Sequence, residues 1–173
     1  AAGFIGSNFA HYLAQKGCED IVILDKLTYA GDMDNLYDLK FPVKGVDLAD
    51  EYRLSELFSQ YKPKYIFHFA AESHVDNSIK DVNPFLYTNV VGTVNLLNLS
   101  VNYGVEKFHH ISTDEVYGAL DYDDPPFTET TAYDPQNPYS ASKAASDHFV
   151  IAFYNTYDLP VVITNCSNNY GPR

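Results

Sequence analysis

At 173 residues the chain is long enough for one domain with a core of its own and too short for two. Hydrophobic residues make up 46% and charged residues 20%, the balance of a globular protein and not of a disordered one. A formal net charge of −12 excludes a nucleic-acid or anionic-membrane surface, which needs clustered Lys and Arg, but leaves room for an anionic ligand held by backbone N–H groups.

The chain opens Ala1-Ala2-Gly3-Phe4-Ile5-Gly6, with no Met and no strand before the glycines, and stops just after a strand; it reads as a piece of a longer protein. Ser7 to Lys16 has helical apolar spacing (Phe9, Ala10, Leu13, Ala14) and stops at Gly17, a natural helix end. Ile21 to Leu24 is β-branched and reads as a buried strand ending at Asp25. Leu27 to Leu39 reads as loop with a helical turn, and Phe41 to Val46 as a strand ending near Asp47. Glu51 to Tyr61 is a helix closed by Lys62-Pro63, and Tyr65 to Ala70 is a strand followed by a loop over Ala71 to Lys80. Asn83-Pro84 opens a helix whose stripe of Leu86, Val90, Val94, Leu97 and Val101 has a period of about 3.6 and ends at Gly104. Lys107 to Ser112 is a strand, and Thr113 to Asn137 a long loop. Pro138 starts a helix to about Tyr157, and Val161 to Asn165 is the last strand.

Alternating strands and helices predict an α/β fold, a doubly wound parallel sheet of the Rossmann-like kind. Ligands bind such sheets beyond the carboxyl ends of the strands. Asp25, Asp47, Ala70 to Ser73 and Ser112 to Glu115 all fall there, so the suspicious residues converge on one rim.

Gly3-x-x-Gly6 at a helix start suits a pyrophosphate, because glycine admits close backbone approach and the helix N-terminus supplies N–H donors. Alone, the pair is equally a simple turn. Asp25 follows Gly6 by 19 residues, the spacing at which a carboxylate meets an adenosine ribose, and it would repel a 2′-phosphate, favouring NAD over NADP. Lys26 next to it softens that preference. Tyr139-x-x-x-Lys143 shares one helix face, and Lys143 is expected to lower the phenol pKa so that Tyr139 serves as a base. Asp114-Glu115 is either a polar loop start or an acid and a base able to move water, with Ser112-Thr113 adding hydroxyls before it. His68, His74, His109 and His110 have no metal-site spacing, so no metal is expected. Cys18 and Cys166 read as reduced thiols. Asp121 to Asp124 reads as a solvated loop. No apolar run approaches the roughly 20 residues of a membrane span and no signal-peptide pattern is visible, so the expected compartment is the cytoplasm.

At this point the chain resembles the extended short-chain dehydrogenase/reductases and, within them, the branch of dTDP-glucose 4,6-dehydratases. The matching stretches are Gly3-Phe-Ile-Gly-Ser-Asn8, Leu24-Asp-Lys-Leu-Thr-Tyr-Ala-Gly31, Ala70-Ala-Glu-Ser-His-Val-Asp76, Thr88-Asn-Val-Val-Gly-Thr93, His110-Ile-Ser-Thr-Asp-Glu-Val-Tyr-Gly118, Pro138-Tyr-Ser-Ala-Ser-Lys143 and Thr164-Asn-Cys-Ser-Asn-Asn-Tyr-Gly-Pro172. Thr113-Asp-Glu is the specific element; the glycines and the Tyr/Lys pair belong to the wider superfamily.

The resemblance implies a partial NAD-binding domain over residues 1–173. Gly3, Phe4, Ile5 and Gly6 would face the pyrophosphate, with Asp25, Lys26, Leu27, Thr28, Asp47 and Leu48 around the adenosine. Phe69, Ala70, Ala71, Ser73, Thr88, Tyr139, Lys143 and Asn169 would complete the cofactor site. Ser73, Thr113 and Asn168 would touch a nucleotide sugar. Tyr139 would deprotonate the 4-hydroxyl, Glu115 would remove the C5 proton and Asp114 would protonate the departing 6-hydroxyl. The resemblance also implies a homodimer at full length, paired through the helices after Pro84 and Pro138.

Two features depart from the pattern: Asn77 stands where such sequences usually carry Arg, and the Ala119 to Phe127 loop is short. The strand before the glycines and a C-terminal substrate-binding region are absent, and the first of these would be central in the order 3-2-1-4-5-6. Its two neighbours would lose a shared partner, so these 173 residues by themselves are expected to be unstable and inactive. A nucleotide-sugar 4-epimerase or decarboxylase, or a non-catalytic NAD-binding sensor, remains the alternative reading.

Overall fold

The computed structural model describes residues 1–172. In chain order the elements are α1 (Phe4–Gln15), β1 (Ile23–Asp25), a 3-10 turn (Met33–Leu36), β2 (Val43–Gly45), α2 (Glu51–Tyr61), β3 (Tyr65–His68), α3 (Val75–Lys80), α4 (Asn83–Phe85), a π-helical segment (Leu86–Val91), α5 (Gly92–Asn102), β4 (Lys107–Thr113), a 3-10 turn (Asp114–Tyr117), α6 (Pro138–Tyr157) and β5 (Val161–Cys166).

Helix boundaries follow local chemistry. At the end of α1, Gly17 takes φ +77°, Cys18 N–H donates to Leu13 O and Gly17 N–H to Ala14 O, the paired bonds that close a helix on a left-handed glycine. Gly104, at φ +66°, closes α5 in the same way, with Val105 N–H on Ser100 O. Asp50 caps α2 by accepting from Arg53 N–H. Asn137 and Ser140 form a reciprocal capping box ahead of Pro138, which starts α6 where its missing N–H is harmless.

The strands lie parallel in two sheets, β1–β2 and β3–β4–β5. Within each sheet the strands follow a doubly wound order, and β1 and β3 are not hydrogen-bonded to each other. The break falls between the two strands expected to lack a shared neighbour. Ala2 is buried near this break, where its carbonyl accepts from Asp32 N–H and Asn35 Nδ2.

Each sheet has its own apolar cluster. Leu54, Phe58, Leu97, Phe108, Val150 and Phe153 join α2, α5 and α6 around β4. Ala2, Ala10, Ile23 and Leu36 join α1 to β1. Phe9 bridges the two sides, its ring 4.8 Å from that of Phe67 and 5.1 Å from that of Phe69.

Three expectations need correction. Ala71 to Lys80 is not all loop: α3 forms there, with Asp76 in its first turn and Lys80 in its last, charges that complement a helix dipole too short to show a clear apolar period. The long loop after β4 begins with a 3-10 turn capped by Thr113. The helix after Pro84 is not a uniform 3.6-residue helix, because Leu86–Val91 winds as a π-helix before Gly92.

Gly92 is where α5 meets the loop after β2: a Cβ there would lie 2.8 Å from Leu48 Cβ, whereas a Cβ on Gly45 would meet nothing within 4 Å. Gly92→Ala in the full-length protein should cost about 1–3 kcal/mol in urea unfolding through overpacking. Gly45→Ala should stay within about 0.5 kcal/mol of wild type, as expected of a change that meets no neighbour.

Candidate active site

The site is built on the end of β4. Thr113 is its last residue and caps the turn that follows, its Oγ1 accepting from Glu115 N–H at 3.2 Å. The Thr113 hydroxyl also lies 3.4 Å from Asp114 Oδ1. Gly118, at φ +103°, reverses the chain, and a Cβ there would meet Asp134 O at 3.2 Å. The turn therefore presents two neighbouring acids beside Tyr139 of α6, whose phenol is hydrogen-bonded to the Thr113 side chain and feels the charges of Glu115 and Asp114. Thr113, Asp114, Glu115 and Tyr139 thus come together as the sequence implies.

Lys143 comes to the same helix face but acts differently from expectation. Its Nζ donates to Ile111 O at 2.8 Å and lies 3.4 Å from His110 Nε2. Burial lowers its pKa to about 8, against the opposing pull of Asp147 and then Cys166. The Tyr139 phenol is not lowered but pushed up to about 12, by burial first and Glu115 second, with the Thr113 hydrogen bond working the other way. Lys143 is not among the groups that shift it. The i, i+4 spacing aligned the two side chains, but the ammonium is engaged beneath β4.

The cofactor end lies across the break between the sheets. The N-terminus of α1 carries no side-chain cap and no acidic residue, leaving the N–H groups of Phe4, Ile5 and Gly6 for an anion. Gly6 is required by packing, since a Cβ would fall 2.6 Å from Ala1 Cα. Asp25 Oδ2 accepts from Ala2 N–H at 2.7 Å and Oδ1 from Leu27 N–H at 2.8 Å. Leu27 sits at φ +55°, an uncommon conformation for a branched side chain, held in the segment the resemblance assigns to the adenosine. Lys26 pairs with Asp47 at 2.5 Å, and although burial pushes Asp47 up, this partner holds its carboxyl below the usual range. Thr28 is half-buried and Leu48 buried beside them. An open helix N-terminus within reach of a strand-end carboxylate fits a dinucleotide.

Phe69, Ala70 and Ala71 line the half-buried segment after β3, and Ser73 is exposed. Thr88 lies half-buried in the π-helical segment, while Asn168 and Asn169 are exposed after β5, Asn169 Nδ2 donating to Ser167 O at 2.9 Å. Asn77, the departure noted above, hydrogen-bonds the Tyr29 hydroxyl. Among the described residues, no group of three or more His, Cys, Asp and Glu side chains could hold a metal ion, and no helix is long and apolar enough to cross a membrane.

Sequence reasoning missed several positioning residues. Asn89 is buried and clamps the segment after β3: its Oδ1 accepts from Glu72 N–H, and its Nδ2 donates to Glu72 O and Ser142 Oγ. Asn137 Nδ2 donates to Glu115 Oε2 at 3.2 Å. Its place before Pro138 marks it as a cap, but this second contact depends on how the loop folds back. His110 and Asp147 carry no local signal beyond their places in a strand and a helix.

A parallel sheet with an open glycine-led helix start and the Thr-Asp-Glu and Tyr-x-x-x-Lys groups on one rim is the arrangement of an extended short-chain dehydrogenase/reductase. The sequence profile described as GDP-mannose 4,6 dehydratase matches residues 1–173, and the chain belongs to that family. The dTDP-glucose 4,6-dehydratase of Neisseria gonorrhoeae is 48% identical, aligned over 99% of this chain and 54% of that protein. DesIV, a dTDP-glucose 4,6-dehydratase from Streptomyces venezuelae solved with NAD bound, has a TM-score of 0.89 at 43% identity over 99% of this chain and 55% of its own. A UDP-glucose 4-epimerase from Thermus thermophilus in complex with NAD has a TM-score of 0.92 at 34% identity, over 99% of this chain and 54% of its own. The chain spans about half the length of the curated relatives it matches.

The lowered pKa of Lys143 has a defined sign in stability. The unfolded chain holds this proton up to about 10.5 and the folded chain only to about 8, so between those values the unfolded state binds more protons and stability rises with pH. Lys143→Met lacks the penalty of burying the ammonium. The urea-unfolding free energy of the full-length wild type should therefore rise relative to Lys143→Met as pH goes from 8 to 10.

Proposed function

We propose that the full-length protein is a dTDP-glucose 4,6-dehydratase, a hydro-lyase that retains NAD and converts the nucleotide-activated glucose to its 4-keto-6-deoxy form. The observation that carries this reading is the Thr113-capped turn that sets Asp114 and Glu115 side by side against Tyr139. An oxidoreductase that only oxidises C4 has no use for two further proton-transfer groups.

NAD, held along Gly3 to Gly6, Asp25 to Thr28, Asp47 and Leu48, and Phe69 to Ser73, would accept the hydride of C4 and return it to C6. Thr88, Lys143 and Asn169 complete that cradle. Asp25 disfavours a 2′-phosphate, and Lys26, the nearby cation, is already committed to Asp47. Thr113 orients the phenol, and its hydrogen bond favours the charged form against burial. Tyr139 takes the proton of the 4-hydroxyl. Oxidation at C4 acidifies C5, whose proton Glu115 removes and returns to C5 as hydride reaches C6, its carboxylate steadied by Asn137. Asp114 protonates the departing 6-hydroxyl. Ser73, Thr113 and Asn168 contact the nucleotide sugar.

The epimerase reading has the backbone likeness on its side, at a TM-score of 0.92, but its identity of 34% is below the 43–48% of the dehydratases. Full-length protein incubated with dTDP-glucose should yield the 4-keto-6-deoxy product. Asp114→Asn should cut its formation about 10²–10⁴-fold, the usual worth of a general acid, while slow C4 oxidation persists. An epimerase would keep its turnover in that variant, and a non-catalytic sensor would show none in either form.

The same reading places the protein in the cytoplasm as a homodimer. Support for the dimer is the exposed Leu86 and Val91 of the π-helical segment and the exposed Phe149 of α6, apolar side chains on the two elements assigned to the contact. Phe149→Glu should shift the full-length protein from dimer to monomer in sedimentation.

A further inference from the structure

Beneath the rim lies a polar cluster that the proposed reaction does not use. Asp147, 0% exposed, stands one turn after Lys143 on the same face of α6. Its Oδ2 accepts from Ser112 Oγ at 2.8 Å, Tyr133 OH at 3.2 Å and Asn165 Nδ2 at 3.4 Å. Its Oδ1 lies 3.2 Å from His110 Nε2 but outside hydrogen-bond geometry, and has no hydrogen-bond partner among the described residues. His110, also 0% exposed, has the same Nε2 3.4 Å from Lys143 Nζ and 3.2 Å from Ser146 Oγ, while its Nδ1 is likewise without a partner. An ammonium and a carboxylate thus meet the same edge of a buried imidazole inside the core.

Such a cluster is a poor way to gain stability, because desolvating the charges costs as much as their attraction returns, and an apolar core of the same volume often does better. Its placement suggests what it is for. Lys143, 3% exposed, has one close oxygen acceptor, Ile111 O, and needs a counter-charge to stay an ammonium. The groups facing it are His110 from β4, His68 from β3, Cys166 from β5 and Asp147 on its own helix. Burial holds both histidines well below their usual pKa, so they bring no charge. Asp147 also faces Tyr133 and Tyr117 from the loop after β4, and neither phenol ionises near neutrality. Asp147 is the acid of the group: burial pushes its carboxyl above the usual range, while the Ser112 bond and then Lys143 favour its charged form, and the Ser112 bond reaches the strand that ends in Thr113.

We propose that Asp147 is a positioning residue of the dehydratase site: its buried carboxylate, by direct attraction across the His110 edge, holds Lys143 as an ammonium, while its bond to Ser112 fixes the strand end that carries Thr113, Asp114 and Glu115. This rests on the function proposed above. Asp147→Asn keeps the size and an acceptor for Ser112 and removes only the charge, so Lys143 should release its proton at lower pH.

The test uses the full-length holoenzyme. In Asp147→Asn the alkaline limb of kcat/KM for dTDP-glucose should move down by about one pH unit, a tenfold loss at a pH above the limb. Ser146→Ala, which removes a neutral neighbour of His110, should leave the limb in place. Independently of substrate, the Lys143 Cε resonance of 13C-lysine-labelled protein, assigned by its loss in Lys143→Met, should titrate about one unit lower in Asp147→Asn. Because coupling is reciprocal, Lys143→Met should raise the titration of the Asp147 carboxyl by a like amount, a measurement that holds even where Asp147→Asn folds poorly. An unshifted Lys143 or Asp147 titration overturns the proposal. A wild-type protein that makes no 4-keto product but shows both shifts sinks the dehydratase reading and leaves the pairing intact.

Discussion

The end of β4 is held against α6 by side chains that bond directly to the strand or to its residues: Lys143 Nζ on Ile111 O, and Ser112 Oγ on Asp147 Oδ2. Everything on the rim depends on that junction. Thr113, Asp114 and Glu115 follow the strand, Tyr139 begins the helix, and their mutual distance is set by where helix and strand lock together. Polar bonds inside a dry core have few alternative partners, so they define one arrangement more sharply than apolar contact would. Asn165 adds a third tie, donating from β5 to Thr113 O and reaching Asp147.

A second constraint acts at the cofactor end through close backbone approach. Gly6 lets α1 start against the Ala1 segment, and Gly92 lets α5 lie on Leu48. Asp25 ties the same region together with bonds from Ala2 and Leu27, so its carboxylate shapes the loop as well as marking the strand end. The proposed adenosine site is thus assembled from short pieces that hold one another.

The two halves of the molecule differ in how they are held. Around β4 a large apolar cluster and the hydrogen-bonded ladder of β3, β4 and β5 reinforce each other. The β1–β2 side rests on a small cluster and on Phe9 packed against Phe67 and Phe69. No backbone ladder joins β1 to β3, so side-chain packing carries the contact between the two sheets. The division also separates the parts of the proposed chemistry, with pyrophosphate and ribose on one side and proton transfer on the other.

Much of this was legible in the residue pattern. Glu51–Tyr61 and Pro138–Tyr157 match the expected helices residue for residue, because Asp50, Pro63, Asn137 and Pro138 are strong local signals. The strand order, the rim and the meeting of Thr113, Asp114, Glu115 and Tyr139 also follow from the alternation of elements, since parallel strands must point their carboxyl ends the same way. The short helix α3 did not show because six residues are too few for an apolar period, and the roles of Asn89 and Asn137 did not because their bonds join residues 17 to 53 positions apart. Nor did the environment of Lys143. Its spacing from Tyr139 is a property of the sequence, but which oxygen an ammonium meets, and how deeply its neighbouring phenol is buried, depends on what packs around it. The chain order of chemical groups decided the class of site; only the packed core decided which of those groups touch, and so which charges they can keep.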